Sequence, residues 1–188
     1  MRKCALIVFL ALLALPVHAE PPRWAMDVAQ SKLTFSAQQG SDIFNGGFKD
    51  FTAEIIFDPD DLEHSRIAAT IAMASAFAGS NDRDQALPGA TWFDVKSFPQ
   101  AQFVTKTIRK TGAQDYMAQA TLTIRGISKD VQLPFSLTPG ANPGQMRAVG
   151  AVVISRHDFG VGQGEFANDS WIKYEVKVGI DILAVKNK

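Results

Sequence analysis

WIKYEVKVGIDILAV, residues 171–185, changes character from one residue to the next. Ile172, Tyr174, Val176, Val178, Ile180 and Ile182 fall on one side of an extended chain, and Lys173, Glu175, Lys177 and Asp181 on the other. Successive side chains of a strand point to opposite faces, so the pattern predicts a long strand with one face buried and the other in water. Tyr116, Ala118, Ala120, Leu122 and Ile124 alternate in the same way with Gln119, Thr121, Thr123 and Arg125 until Gly126 ends the run. Less regular versions at 33–38, 48–57, 67–73, 102–108, 131–137 and 146–156 are each followed by Gly, Pro, Asn or Asp. Together these runs predict about eight strands.

Turn-forming residues at Asp58-Pro59-Asp60, at Arg125-Gly126-Ile127-Ser128 and from Pro139 to Gly144 join these strands as hairpins rather than crossovers, so the fold class is all-β with an antiparallel sheet. Half-buried strands must hide their apolar faces, and closure into a barrel also removes the edges that seed aggregation. A sandwich is the alternative architecture. The alternation stops at about residues 80–99. There Asn81 to Leu87 reads as a capped helical turn ended by Pro88, and 91–95 as a second one. Trp92, Phe93 and Phe98 crowd into this short insertion, which predicts that it folds back as a lid or plug on one end of the barrel.

The 188 residues hold 19 basic and 19 acidic side chains and 46% hydrophobic residues, enough for one substantial core and without the positive excess that nucleic-acid binding requires. Met1-Arg2-Lys3, the apolar stretch from Cys4 to Leu15 and Val17-His18-Ala19 before Glu20 have the three parts of a secretory signal peptide. The apolar stretch falls short of the roughly 20 residues that span a bilayer. The expectation is therefore a signal at 1–19, cleavage after Ala19, and one domain at 20–188. Cleavage removes Cys4, the one cysteine, so the exported chain is held by packing without disulfides, which suits a bacterial periplasm.

Ala37, Ala53, Ala69, Ala118, Ala120, Ala148 and Gly150 fall at inward positions among large aromatics. Such a mixture either leaves an apolar channel unfilled or tapers a solid core. For catalysis there is no cysteine nucleophile, no Gly-x-Ser-x-Gly elbow and no glycine-rich phosphate loop, and Ser155, His157 and Asp158 are too close along a strand to form a relay. No enzyme activity is expected. His64 and His157 have no close-spaced ligand partners, and the acidic turn at Asp58 lacks the glycine and terminal glutamate of a calcium loop, so no metal site is expected.

Trp24-Ala-Met-Asp27 followed by Ser31-Lys-Leu-Thr-Phe35, then Phe48, Phe51 and Ile56-Phe57-Asp58-Pro59, resembles the opening of the YceI-like family of periplasmic polyisoprenoid-binding proteins. Asn81-Asp-Arg83-Asp84 before Trp92-Phe93-Asp94, Phe98-Pro99 before Phe103, Leu122-Thr-Ile-Arg-Gly126, and Ser155-Arg156-His-Asp158-Phe159-Gly160 continue the likeness over nearly all of the exported chain. The resemblance implies an eight-stranded, lipocalin-like barrel around an extended apolar ligand, such as a quinone tail or a polyprenyl chain. That lipid would be cargo, with no resident cofactor. A periplasmic carrier of isoprenoid lipid is the first functional expectation. A general binder of fatty acids and other amphiphiles, and a filled barrel acting as an interaction or stress-response module, are the other two. Family members are often homodimers, and a carrier would touch a membrane or a membrane redox protein transiently.

Phe35, Phe48, Phe57, Phe77, Trp92, Phe93, Phe98, Phe103, Phe135 and Phe159 are the expected ligand-contacting pool. Arg83, Asp84, Asp94 and Arg156 lie beside apolar stretches in the matching motifs. They are expected either to pair as ions that pin the insertion to the rim or to present an arginine to a ligand head group.

Overall fold

The computed structural model describes residues 20–187; the expected signal peptide and its cleavage point after Ala19 lie outside the described residues. The strands in the first half are β1 (Arg23–Met26), β2 (Lys32–Gln39), β3 (Asp42–Phe48), β4 (Phe51–Ile56), β5 (Arg66–Ala72) and β6 (Ala76–Phe77). Helix α1 (Asn81–Ala86) and the insertion follow. The second half contains β7 (Gln100–Lys110), β8 (Asp115–Ile124), β9 (Ile127–Pro139), β10 (Gln145–Ser155) and β11 (Ile172–Lys186).

These segments join into a closed eight-stranded antiparallel barrel. β11 pairs along one edge with β10, from Gln145↔Val185 to Ser155↔Glu175. Its other edge pairs first with β2 and then, through Trp24↔Lys186 to Met26↔Ala184, with β1. β1 and β2 are therefore one bent strand, broken at Val28–Gln30 by a turn that the Asp27 carboxylate caps, accepting from the Gln30 amide at 3.1 Å. β3 and β4 form the next strand, pairing with β2 and β1 in turn. β5 and β6 form the third, and β7 to β10 complete the meander. Each of the eight runs of alternation overlaps a strand of the ring, several overrunning it by a residue and the run at 48–57 bridging the break between β3 and β4.

Three pieces of strand, β1, β3 and the two-residue β6, are absent from the sequence expectations. β1 is too short for alternation to register. β3 contains Asn45-Gly46-Gly47, residues that normally break strands. The structure shows why Gly46 belongs there: a Cβ on it would lie 2.2 Å from the Phe77 carbonyl oxygen and 2.4 Å from Phe35 Cζ. β6 pairs antiparallel with β3 at this point, with Gly47 opposite Phe77. The insertion also departs from expectation. α1 forms, with the Ser80 hydroxyl accepting from the Arg83 amide, but residues 91–95 make hydrogen-bonded turns and no second helix.

Two clusters of buried side chains pack the barrel at different heights. At the base, Phe57, Ile108, Tyr116, Leu133, Phe135 and Leu137 form one, with Tyr116 stacked on Phe135 at 5.4 Å and edge-on to Phe57 at 5.5 Å. Trp24 packs against it and donates its indole N–H to the Phe57 carbonyl at 2.9 Å. Towards the other end, Phe51, Ile71, Met73 and Ala101 pack with Phe93 and Val95 of the insertion. No helix among the described residues is long and apolar enough to cross a membrane.

Gly46→Ala should destabilise the protein by roughly 1–3 kcal/mol, because the added methyl overpacks a close backbone contact that has no flexible neighbour to yield. Urea unfolding followed by tryptophan fluorescence measures the loss; an unchanged midpoint would contradict the close contact.

Candidate functional site

The barrel is hollow between its packed clusters. An internal cavity of about 280 Å³ runs from Trp24, Phe57 and Leu137 at the base to Leu87, Trp92 and Phe159 at the insertion end. Its lining is almost wholly carbon, and among the described residues Arg156 is the one charged residue that reaches it. The alternation of β11 accounts for much of one wall: Ile172, Val176, Val178, Ile180 and Ile182 all line the cavity, and Ala184 extends the row. Tyr174, expected in that row, does not line it. The pairing of β11 with β2 shifts between Ile172 and Val176, and the Tyr174 ring packs under the Arg156 guanidinium at 5.4 Å and against His157 at 4.9 Å.

Small residues keep the middle open. Ala37, Ala53, Ala69, Ala118 and Ala148 all line the cavity, so opposing walls meet no bulk there. Ala120 is buried without reaching it, and Gly150 lies against Phe135 and Pro134. Of the aromatic pool, Phe35, Phe48, Phe57, Trp92, Phe93, Phe103, Phe135 and Phe159 line the cavity. Phe77 and Phe98 do not. Phe77 packs over Gly47, with the Lys49 ammonium 5.4 Å from its ring. Phe98 packs against Gly126, with the Arg125 guanidinium at 5.9 Å. Alternation along a strand could not place either one, since Phe77 belongs to a two-residue strand and Phe98 to a turn.

A line of aromatic rings crosses the cavity below the insertion. Phe35 lies 6.5 Å from Phe44 and 5.8 Å from Phe48, and Phe48 lies 6.0 Å from Phe93. Trp92 stacks 5.0 Å from Phe166 in the segment that joins β10 to β11. Phe44, Leu33 and Met26 also line the cavity and were absent from the expected pool. Phe44 sits in the unpredicted β3 and Met26 in the unpredicted β1, while Leu33 is an aliphatic position that alternation along β2 could have supplied.

The expected ion pairs at the rim do not form. The ion pairs among the described residues join Arg23 to Glu54, His64 to Asp61, Lys106 to Asp130, Arg147 to Asp181 and Lys173 to Asp169, and none involves Arg83, Asp84, Asp94 or Arg156. Backbone carbonyls take their place. Arg83 donates to the Ala78 carbonyl at 3.0 Å and to the Gln39 amide oxygen at 3.2 Å, and lies 4.7 Å from the centre of the Phe44 ring. Asp84 instead accepts the Ala78 amide at 2.5 Å. Asp94 contributes its backbone, at φ 46°, where its carbonyl accepts from Ser97 and Phe98. Arg125, a rim residue that the sequence reading missed, also adopts positive φ and donates to the carbonyls of Ala90 and Trp92.

Arg156 is the extreme case. It is 4% exposed and donates to four carbonyls: Lys173 at 3.1 Å, Val161 at 2.8 Å, Asn168 at 2.8 Å and Ile172 at 2.7 Å. Burial holds its guanidinium below the ordinary arginine range, an effect that Tyr174 and Asp169 partly offset. The planar fork fits this role, because several N–H groups diverge to carbonyls that one ammonium could not reach together. Gly162 makes room for it: a Cβ there would lie 2.2 Å from an Arg156 terminal nitrogen. The amides of Gly162 and Gln163 in turn donate to the Thr91 carbonyl, at 2.9 and 2.8 Å, tying this segment to the insertion.

Residues 24–184 match the model of the YceI-like domain. A UPF0312 protein of Pseudomonas putida strain W619 is 27% identical over 143 residues, 74% of either chain. Burkholderia cenocepacia BcnA superposes with a TM-score of 0.80 at 31% identity, over 85% of this chain and 99% of its own. A polyisoprenoid binding domain from Saccharophagus degradans, implicated in plant cell wall breakdown, shares the fold with a TM-score of 0.70 at 12% identity, over 88% and 99% of the two chains.

Arg156→Met should cost roughly 3 kcal/mol or more, since it leaves buried carbonyls without a donor, and Arg156→Lys should recover little of the loss. Thermal and urea unfolding of the two variants measure both. Full rescue by lysine would refute the fork geometry as the source of the stability.

Proposed function

The chain belongs to the YceI-like family, and from that premise we propose that it is a periplasmic binding protein that holds the chain of an isoprenoid lipid, a quinone tail or a polyprenyl, inside its barrel. The observation that carries this reading is the cavity of about 280 Å³ with an almost wholly carbon lining. It lies near the lower end of the roughly 300–1,000 Å³ usual for small-molecule sites. Water gains almost nothing from such a surface, whereas each buried methylene contributes about 0.8 kcal/mol. One five-carbon prenyl unit is thus worth roughly 3–4 kcal/mol before ordering costs, and a few units bind tightly without a hydrogen bond. The polyisoprenoid-binding neighbour from Saccharophagus degradans supports the choice of ligand class.

The signal-like residues 1–19 and the absence of cysteine after Cys4 support export to the periplasm. There the lipid is cargo, shielded from water while it passes between membranes or to a membrane redox protein. The protein acts by binding and exchange, with no resident cofactor and no chemistry of its own.

Purification of residues 20–188 from the periplasm without detergent, solvent extraction and mass spectrometry should release a stoichiometric prenylated quinone or polyprenyl lipid. Fatty acids alone would replace this reading with a general amphiphile binder, and an empty extract from the folded protein would overturn it. Ala69→Phe, which projects a ring into the middle of the cavity, should cut the retained lipid at least tenfold while the protein stays folded. Unchanged retention would place the lipid elsewhere.

A further inference from the structure

The barrel wall is not hydrogen-bonded all the way round. Pairing between β9 and β10 runs from Met146↔Pro139 to Gly150↔Phe135 and stops, although β9 begins at Ile127 and β10 continues to Ser155. β9 remains paired to β8 through to Ile124↔Ile127, and β10 remains paired to β11 through to Ser155↔Glu175. The wall therefore parts between β9 and β10 in the half nearer the insertion, over a longer stretch than the break in the β2–β11 ladder between Ile172 and Val176. The first residue of β9 past the last pair is Pro134, which has no N–H to extend a ladder.

A second cavity, of about 320 Å³, occupies this seam. Val131, Val152, Ile154 and Phe159 line both it and the central cavity, so at the seam these four side chains form the wall between the interior and the outer face of the barrel. Both ends of the barrel, by contrast, are closed. The base is filled by the Phe57, Tyr116 and Phe135 stack, and the insertion is held down by the Arg125 bonds to the Ala90 and Trp92 carbonyls, the Gly162 and Gln163 bonds to the Thr91 carbonyl and the Trp92–Phe166 contact. Entry through an end breaks packed rings and buried hydrogen bonds, whereas entry through the seam breaks no pairing.

The seam also differs from the interior in polarity. Main-chain groups that Ile127–Pro134 and Ala151–Ser155 turn towards each other carry no ladder bond, and Lys129 and Gln132 add donors at the outer lip. Asp130 and Asp158 line the same cavity as Lys129, and Asp130 is engaged by Lys106 at 2.6 Å, so the lip offers donors without a net positive charge. We propose that this seam is the lateral entrance to the channel and the seat of the ligand's polar end, and that the polar end it accepts is an uncharged hydrogen-bond acceptor such as a carbonyl. The inference rests on the reading of the channel as a lipid site.

The test uses residues 20–188, which contain no cysteine. Continuing the β9–β10 register places Gln132 opposite Val153, both exposed, across the seam. In Gln132→Cys/Val153→Cys, the two thiols are joined directly by oxidation or by a short bis-methanethiosulfonate. In the control Ser136→Cys/Val149→Cys, the same bridge spans a pair that is already in register. The probe is a benzoquinone carrying two prenyl units, its binding followed by quenching of Trp24 and Trp92, which line the channel. Bridging the seam should slow uptake and release at least tenfold, dithiothreitol should restore both, and the control bridge should change neither. Farnesyl diphosphate should bind at least tenfold more weakly than the quinone.

Unchanged exchange in the bridged protein overturns the entrance, and equal binding of the diphosphate overturns the assignment of the polar end. If the unbridged protein takes up no quinone, the lipid reading has failed, and the seam is judged separately by amide hydrogen exchange. Seam-facing amides of Ile127–Pro134 and Ala151–Ser155 should then exchange at least a hundredfold faster than the paired amides on the same strands. Equal protection overturns the seam.

Discussion

The barrel depends on the double seam that β11 makes. A 15-residue strand extends about 50 Å, long enough to pair from Glu175 to Val185 with β10 on one side and with two separate pieces, β2 and β1, on the other. Closure needs that length because tilted strands meet their neighbours in stagger, and the first and last strands of the meander must overlap by enough residues to lock. Alternation of lysine and glutamate with valine and isoleucine fixes which face turns inward. A slip of one residue would put three charges into the cavity.

Within that ring, side-chain size decides where the interior is solid and where it is empty. Aromatic stacks fill the base, and a row of rings from Phe44 to Phe93 crosses beneath the insertion, while alanines on β2, β4, β5, β8 and β10 hold the middle open. A hollow of this kind forfeits dispersion contacts that a filled core would make. The protein tolerates it because hydrogen bonding round most of the wall and the two packed clusters carry the fold.

Much of this was legible in the chain itself. Alternation gave the strands because burial on one face of a strand leaves a period-two record, and the turn residues gave their antiparallel order. The same alternation placed Phe35, Phe103 and Phe135 inside. It failed where position is set by tertiary contact. Gly46 and Gly47 read as strand breakers and are instead the room that β6 and Phe35 need. Phe77 and Phe98 look like their lining neighbours but lie on short or irregular segments with no face to read. The charged rim was misread for a chemical reason. An arginine near an aspartate in sequence suggests a pair, whereas Arg83, Arg125 and Arg156 find carbonyls from turns that no local pattern announces.

Those arginine–carbonyl clamps have a further consequence. An ion pair weakens when added salt screens it or when acid neutralises its carboxylate, so a cap built on ion pairs loosens as the medium changes. A peptide carbonyl does not titrate, and a buried charge–dipole contact of a few ångströms leaves no space for mobile ions to intervene. The connection between β10 and β11 is thus fastened around Arg156 by contacts whose strength is set by chain geometry, and they stay nearly constant across brine and mild acid that would rearrange the surface charges around them.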